Sequence, residues 1–313
     1  HSEQVAAPEH SDRLRRAHAH PRDERIHFHP GPHVYTVDCH DDPSKSEYTS
    51  VTTWVHSHFP VFDSDAVIDK MMASPYWSKG DKYRKYAGKT KDDIKAEWDA
   101  NRDSAAAAGT RMHAAIETYY NDRAGGGDNN NADSADPLAG DGVTDDTRTE
   151  MEYFARFDRT FRQLLRPYRT EWTVFHEQLK LSGTIDMLFE NLDPATGKPD
   201  GTFAIYDWKR CKEIVQNNAF NKWALTPGME TVPDTNYWHY SLQLNLYKLI
   251  LTEKYGIRVS NMYIVCLHPQ NANLDYLRFE IRDMQPLLRT VLALPPLPAS
   301  TGTSKPRKKQ QTS

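Results

Sequence analysis

Residues 177–209 read EQLKLSGTIDMLFENLDPATGKPDGTFAIYDWK. Two apolar runs, Leu181–Glu190 and Thr202–Arg210, flank Asn191–Gly201, which is polar and rich in Asp, Pro and Gly. That pattern predicts two strands joined by a turn. Side chains alternate along a strand, so residues two apart share a face. Asp207 and Lys209 therefore point the same way and Trp208 points away. On the first strand Thr184, Asp186 and Leu188 are expected on one face, with Ile185, Met187 and Phe189 on the other. Two carboxylates and a lysine on the face of a hairpin are costly to bury without a task. With a divalent cation between the acids they make a phosphodiesterase site. Asp186 and Asp207 would be metal ligands, the Trp208 carbonyl a further one, and Lys209 would orient the attacking water or stabilise phosphate charge.

The flanking sequence supplies the elements around this hairpin. Upstream, Arg169–Lys180 is expected to lead into the first strand. Thr147–Leu165 is an amphipathic helix, with Phe154, Phe157, Phe161 and Leu164 at helical spacing and Pro167 beyond its end. A longer helix opens at the capping-box pattern Thr90-Lys91-Asp92-Asp93 and runs about 30 residues to about Asp122. On it His113 and Glu117 stand one turn apart on one face. Ser50 reads as the N-cap of a helix over Val51–Phe59, Asp63–Met72 is a second short helix, and Ile26–Val37 is a hairpin turning at Pro30-Gly31-Pro32. Downstream, residues 212–235 read as a loop beside the site and Tyr237–Tyr255 as a strong helix stopped by Gly256. Asn261–His268 and Leu274–Ile281 are two more strands, and Met284–Leu294 is a last helix. This order predicts an α/β (α+β) fold, a central mixed sheet flanked by helices with an N-terminal helical part.

The domain reading is a flexible His- and Arg-rich arm over 1–24, one domain over 25–295 and a disordered basic tail over 296–313. Within that domain the helical part spans about 50–123, a flexible insertion 124–146 and the core about 147–295. The insertion is almost all Gly, Asn, Asp and Ser. Eight of the 14 histidines lie in the first 40 residues, but no ligand spacing completes a metal site there. Tyr76–Lys91 interleaves Lys82, Arg84 and Lys85 with Trp77, Tyr83 and Tyr86, which suits single-stranded nucleic acid: cations for phosphates, rings for bases. An exposed helix with a few buried rings would look the same.

Composition bounds the partner classes. The 313 residues carry a formal net charge of -4, so a nucleic-acid partner requires a local basic patch. No apolar run approaches the roughly 20 residues that span a bilayer, so no membrane partner is expected. Three scattered cysteines, Cys39, Cys211 and Cys266, suggest an intracellular, reducing compartment, and they exclude a four-cysteine iron–sulfur cluster within the chain.

SGTIDMLF followed by IYDWKR resembles the signature of the PD-(D/E)XK nuclease superfamily, with Asp186, Asp207 and Lys209 at its charged positions. Three further elements follow in that family's order. GTRMHAAIE, with Gly109, His113 and Glu117, is similar to the helix motif before the core of RecB-type nucleases. Gln243-Leu-Asn-Leu-Tyr247 resembles the QxxxY motif of the same branch. Glu177 matches a recurrent acidic position near the site. The resemblance covers about residues 105–270 and is nearest the RecB-type exonucleases, including the mitochondrial genome maintenance exonuclease and viral relatives. Ile185 stands where the family often has proline. The likeness implies a restriction-endonuclease-like core with His113 as a metal ligand supported by Glu117. It also implies that Gln243 and Tyr247 line the site or touch DNA, and that Mg²⁺ is the cofactor, with Mn²⁺ able to substitute. The expected function is a metal-dependent DNA nuclease acting on ends or single strands in replication, repair or recombination. A flap- or branch-cutting endonuclease and a catalytically silent DNA-binding protein are the alternatives.

Overall fold

A computed structural model describes residues 12–38, 47–77, 80–124, 136–140 and 142–296. The elements in chain order are α1 (Arg13–Ala17), β1 (Ile26–His29), β2 (Val34–Val37), β3 (Glu47–Ser50), α2 (Val51–His56), α3 (Ser64–Met72) and α4 (Lys91–Ala124). They continue with α5 (Arg148–Phe161), β4 (Leu165–His176), β5 (Leu181–Leu192), β6 (Pro199–Lys209), α6 (Asn236–Lys254), β7 (Val259–Cys266), β8 (Leu277–Glu280) and α7 (Gln285–Val291). A 3₁₀ turn over Asp81–Tyr86 precedes α4.

The predicted caps form. Ser50 Oγ accepts from Thr53 N–H at 3.0 Å at the start of α2. At α4 the Asp93 carboxylate accepts from Thr90 N–H at 2.8 Å and Asp93 N–H donates to Thr90 Oγ1 at 3.2 Å, the reciprocal capping box. Gly109 neither breaks α4 nor packs closely, since a Cβ there would meet nothing within 4 Å.

The strands form one mixed eight-stranded sheet in the order β1-β2-β3-β5-β6-β7-β8, with β4 also paired to β5. Two cores cover its faces. Val51, Val55 and most of α6 pack on Ile185, Leu188, Ile205 and Ile264 on one side. Met112, Ile116, Tyr120, Phe154 and Phe157 from α4 and α5 pack on Met187, Phe189, Tyr206 and Trp208 on the other. The mixed sheet between helical layers is the expected architecture.

β5 carries the feature that positions the site. One of its edges pairs with β4 along its length, from Leu181↔His176 to Asn191↔Leu165. Its other edge is shared between two strands, β3 at Leu181 and Ser182 and β6 from Met187 onward. Gly183–Asp186 lie in the fork between them. Such a divergence leaves a crevice at the ends of strands, where α/β sheets place ligands. The simple two-residue alternation fails here. Ile185 and Leu188, three apart, enter the α6-side core, while Met187 and Phe189 enter the other. The alternation slips once beside Asp186, where β5 leaves one partner strand and joins the next.

Several boundaries differ from the sequence reading. Residues 12–24 are not a flexible arm. Leu14 is buried against α4 and its N–H donates to Asn121 Oδ1 at 3.0 Å. The buried Arg169 guanidinium takes Asp23 and the His18 carbonyl as acceptors at 2.8 and 2.9 Å. A buried cation needs such partners, and this segment supplies them. Residues 1–11 lie outside the described residues. β3 was not foreseen. The helix expected to reach Leu165 ends at Phe161, because Leu165–Pro167 instead pair with β5. Pro167 sits at a β-bulge on a strand paired only to β5, where a missing N–H is tolerated. The insertion is also partly built. Gly142 packs so closely on Ala115 that a Cβ would come within 3.2 Å of its Cα, and Arg111 pairs with Asp146 at 2.6 Å. Residues 125–135 and 141, Cys39 and the tail from 297 fall outside the described residues. No described helix is long and apolar enough to cross a membrane.

Candidate active site

The fork in the sheet brings Asp186 and Asp207 together. Trp208 N–H donates to Asp186 Oδ2 at 2.9 Å, tying the end of β6 to a side chain of β5 where backbone pairing has ceased. Asp207 is 2% exposed, and Lys209 Nζ lies 2.6 Å from its Oδ2. The two therefore share a face, and Trp208 is buried on the opposite one, as alternation requires. The Lys209 ammonium also lies 4.6 Å from the centre of the Tyr240 ring on α6, a cation–π contact that fixes its position.

α4 supplies His113 from the other side of the sheet. Its Nε2–H donates to the Trp208 carbonyl at 2.9 Å, and its Nδ1 lies 3.7 Å from Asp186 Oδ2 and 3.5 Å from Glu171 Oε1. His113, Glu171 and Asp186 each offer a ligand atom, all within 4.8 Å of one another, and no other described group of three or more such residues does so. Imidazole nitrogen with carboxylate oxygens is a donor set that fits a divalent cation. Asp207, expected as a ligand, lies outside this trio and is held by Lys209. The Trp208 carbonyl stands beside the trio, bonded to His113.

Glu171 was missed by sequence reasoning. It sits on β4 between the pairs Thr170↔Met187 and Trp172↔Ile185, directly across from Asp186, with a left-handed φ of 42°. That conformation costs a non-glycine residue on the order of 1 kcal/mol or more and clusters at functional sites. The signal lay in the turn: once His176 pairs with Leu181, the register sets Glu171 opposite Asp186. Glu177, chosen instead, is in that turn. It pairs with Arg22 at 2.7 Å, Arg25 at 3.5 Å and Lys254 at 3.8 Å, holding the N-terminal segment to the sheet. The structure does not bring it to the site.

Tyr247 and Gln243 close the α6 side. Gln243 Nε2–H donates to Tyr247 Oη at 3.2 Å, and the Tyr247 ring fills the fork. A Cβ on Gly183 would lie 2.7 Å from the Tyr247 ring, so only glycine leaves room for it. Glu117 lines a cavity of about 510 Å³ with His113, Glu171, Gly109 and Thr110, which opens His113 and Glu171 to solvent along α4.

The charges are mutually strained. Burial raises the Asp207 carboxyl to about 6, with Asp186 adding to the shift against the pull of Lys209. Burial raises Asp186 as well, Glu171 adds to the effect, and the attraction of His113 does not offset them. Burial alone would lower His113, but Asp186 and Glu171 outweigh it and lift the imidazole to about 9. Burial, Glu171 and Asp12 push Glu117 to about 7. Lys209, penalised by burial, is kept cationic by Asp207 and Asp186. Without a cation the pocket therefore holds protons more tightly than ordinary carboxylates and imidazole do, and a divalent ion would replace them.

The remaining sequence candidates lie elsewhere. Tyr86 is buried with Ile68 and Ile94, and Trp77, Tyr83, Met71 and Trp98 pack around them. The rings read as base platforms are thus a small core joining α3, the 3₁₀ turn and α4. Lys82 and Lys85 lie over the rings of Tyr83 and Tyr86 and are exposed; Arg84 faces Asp81 at 3.4 Å in solvent. From Asp93 to His113 is about 30 Å of helix, so this basic segment does not reach the trio.

A search among curated proteins finds no match for the chain. A family model described as the PD-(D/E)XK nuclease superfamily matches residues 83–294, well over half of the sequence and including every residue placed at the fork. Nucleases of that superfamily use divalent metals, in keeping with the donor set around Asp186. The chain belongs to the PD-(D/E)XK nuclease superfamily.

Proposed function

We propose that the chain is a Mg²⁺- or Mn²⁺-dependent deoxyribonuclease of the RecB-type branch, an exonuclease acting on DNA ends or single strands in replication, repair or recombination. We place it in a reducing intracellular compartment. The observation that carries the reading is the convergence of His113, Glu171, Asp186, Asp207 and Lys209 on one fork of the sheet. His113, Asp186, Asp207 and Lys209 bear charges that burial disfavours, and phosphodiester hydrolysis has a use for every one of the five groups.

A divalent cation on the trio would polarise the scissile phosphate and make bound water a better nucleophile. His113, through the Nδ1 that faces both carboxylates, would hold it with Glu171 and Asp186, and the Trp208 carbonyl, which accepts from His113 Nε2–H, has a second lone pair to offer. Lys209, kept protonated, would hold the attacking water or neutralise charge on phosphate oxygens. Asp207 keeps Lys209 in place and adds negative charge beside Asp186. Tyr247, backed by Gln243, walls the fork and limits water there. The exonuclease reading draws on the His113 and QxxxY motifs taken together.

The test is cleavage of end-labelled single-stranded, double-stranded and flapped DNA with Mg²⁺ or Mn²⁺, wild type beside Asp207→Ala. A ladder from the labelled end that disappears with the variant and with chelator is the expected result. A single internal cut on closed circles would make it an endonuclease. Intact DNA with all three substrates and both metals would sink the nuclease reading.

A further inference from the structure

Just beyond Lys209 stand two thiols that the proposed reaction does not use. Cys266 is the register partner of Lys209 across β6 and β7, and Leu267 N–H donates to the Lys209 carbonyl at 2.9 Å. Cys211 follows two residues after Lys209, where β6 has ended. Its Sγ lies 4.0 Å from Cys266 Sγ, and Cys266 Sγ–H donates to the Cys211 carbonyl at 2.9 Å. Both are free thiols, Cys211 half-buried and Cys266 fully buried. Both belong to the α6-side core, the side on which Lys209 meets Tyr240.

We propose that Cys211 and Cys266 are a redox-active dithiol that a small-molecule disulfide, such as oxidised glutathione, converts to an intramolecular disulfide, slowing the site through Lys209. A disulfide needs its sulfurs about 2 Å apart, so the pair must close by roughly half its present separation. Cys266 is anchored, since Asn271 Nδ2–H donates to its carbonyl at 3.1 Å within a paired strand. Cys211 sits on chain leaving the sheet and is the one free to move. The Cys211 thiolate attacks one sulfur of the reagent, whose S–S bond breaks and releases one glutathione thiolate. The Cys266 thiolate then attacks the Cys211 sulfur and releases the second. Two electrons pass from the protein sulfurs to the reagent, and the two thiol protons end on the departing thiols. Drawing Cys211 toward Cys266 pulls the last residues of β6 and displaces the Lys209 ammonium from Asp207. A displacement on the order of 1 Å at a positioned group is enough to slow a reaction by tenfold or more.

The effect on cleavage rests on the nuclease reading; the thiol chemistry does not, and the experiment reads them separately. The full chain bearing Cys39→Ser is treated with oxidised glutathione, alkylated, and analysed by intact mass, peptide mapping and cleavage of end-labelled DNA. The expected product has lost two hydrogens (about 2 Da) and carries a Cys211–Cys266 cross-linked peptide without retained glutathione. Its cleavage rate is about tenfold lower and returns with dithiothreitol. Adding Cys211→Ser removes both the cross-link and the inhibition. Cys266→Ala, an apolar replacement for the buried thiol, retains a glutathione adduct at Cys211. Two thiols that remain fully alkylatable after oxidant overturn the dithiol. A cross-linked protein that cleaves at the untreated rate overturns the coupling to Lys209. Cross-linking in a protein that cleaves no DNA in either state leaves the dithiol standing and the nuclease reading refuted.

Discussion

The sheet fork and the α3–α4 region both combine charged and aromatic side chains, and the two use them in opposite ways. At the fork the charges are inside. Asp207 is 2% exposed, Asp186 accepts from a backbone N–H, and the rings of Tyr240 and Tyr247 wall them in. In the α3–α4 region the rings are inside and the charges stay in water, Lys91 and Lys95 pairing with Asp65 and Asp69 across exposed helix surfaces. Exposed pairs contribute little to stability and need no further purpose. Buried charges of one dominant sign destabilise the fold unless something binds there, and that makes the fork the place to look for chemistry.

The sharpest way to break this contrast is at Lys209 and Asp207. Asp207→Ala and Lys209→Ala should each lower DNA cleavage by at least about 10³-fold, as expected for groups acting on transition-state charge. Both variants should keep their far-ultraviolet circular dichroism. In the α3–α4 region Tyr86→Ala should do the reverse. Loss of a buried ring that accepts from Trp98 Nε1–H at 2.8 Å should cost about 3 kcal/mol, seen in denaturant unfolding. Cleavage per folded molecule should stay within a few-fold of wild type. If Tyr86→Ala abolished cleavage while remaining folded, the ring would belong to the substrate path and not to a core.

The two glutamates of the β4–β5 hairpin give the next test. Glu171→Gln should weaken Mn²⁺ binding by about 10- to 100-fold in calorimetric titration. Glu177→Gln should leave it unchanged, since its partners are Arg22, Arg25 and Lys254. Equal metal affinity in wild type and Glu171→Gln would return the site to the carboxylates of β5 and β6 alone.

That pair of residues shows what the sequence could and could not carry. Asp207-Trp208-Lys209 was legible because alternation on a strand is local, and two residues fix which side chains share a face. His113 was legible through its helix motif and Tyr247 through its spacing from Gln243, again local patterns. Glu171 depended on the register between β4 and β5, which a turn several residues away decides. The slip at Asp186 depended on which strands meet β5's far edge, and β3 lies more than 130 residues before that point. The N-terminal segment looked solvated because its composition is polar. Its order comes from Arg169 and Trp172, buried groups on another strand that need the Asp23 carboxylate. Local patterns picked out charged side chains that the fold brings together; partners distant in sequence set the shape around them.

The proton-holding character of the fork should appear in the stability of the metal-free protein. The folded-state values of His113 and Asp207, about 9 and about 6, lie above their ordinary 6.5 and 3.8. A raised value means the folded state binds the proton more tightly. The stability it lends is present in full below the ordinary value and lost as pH rises through the folded one. In chelator, the melting temperature should therefore fall as pH rises from about 6.5 to 9, the window set by His113. His113→Gln should flatten that fall, and saturating Mn²⁺ should oppose it by taking the proton's place. The α3–α4 ion pairs involve Asp65, already ionised well below this window, and Lys91 and Lys95, raised above their ordinary values by Asp69 and Asp65. They should contribute no slope.

The smallest effect is expected from the exposed cations over the α3–α4 rings. Lys82→Ala with Lys85→Ala removes two charges about 30 Å along α4 from His113. Cleavage of saturating DNA should be unchanged. If single-stranded DNA passes over this segment, each lost phosphate contact should reduce the slope of log affinity against log salt by about 0.7. The change should appear with long oligonucleotides and vanish with ones too short to reach from the fork to the 3₁₀ turn. An unchanged slope with the long strand would leave these lysines as the solvated face of a small core, and the only charges with a part in the reaction would be those the sheet has buried.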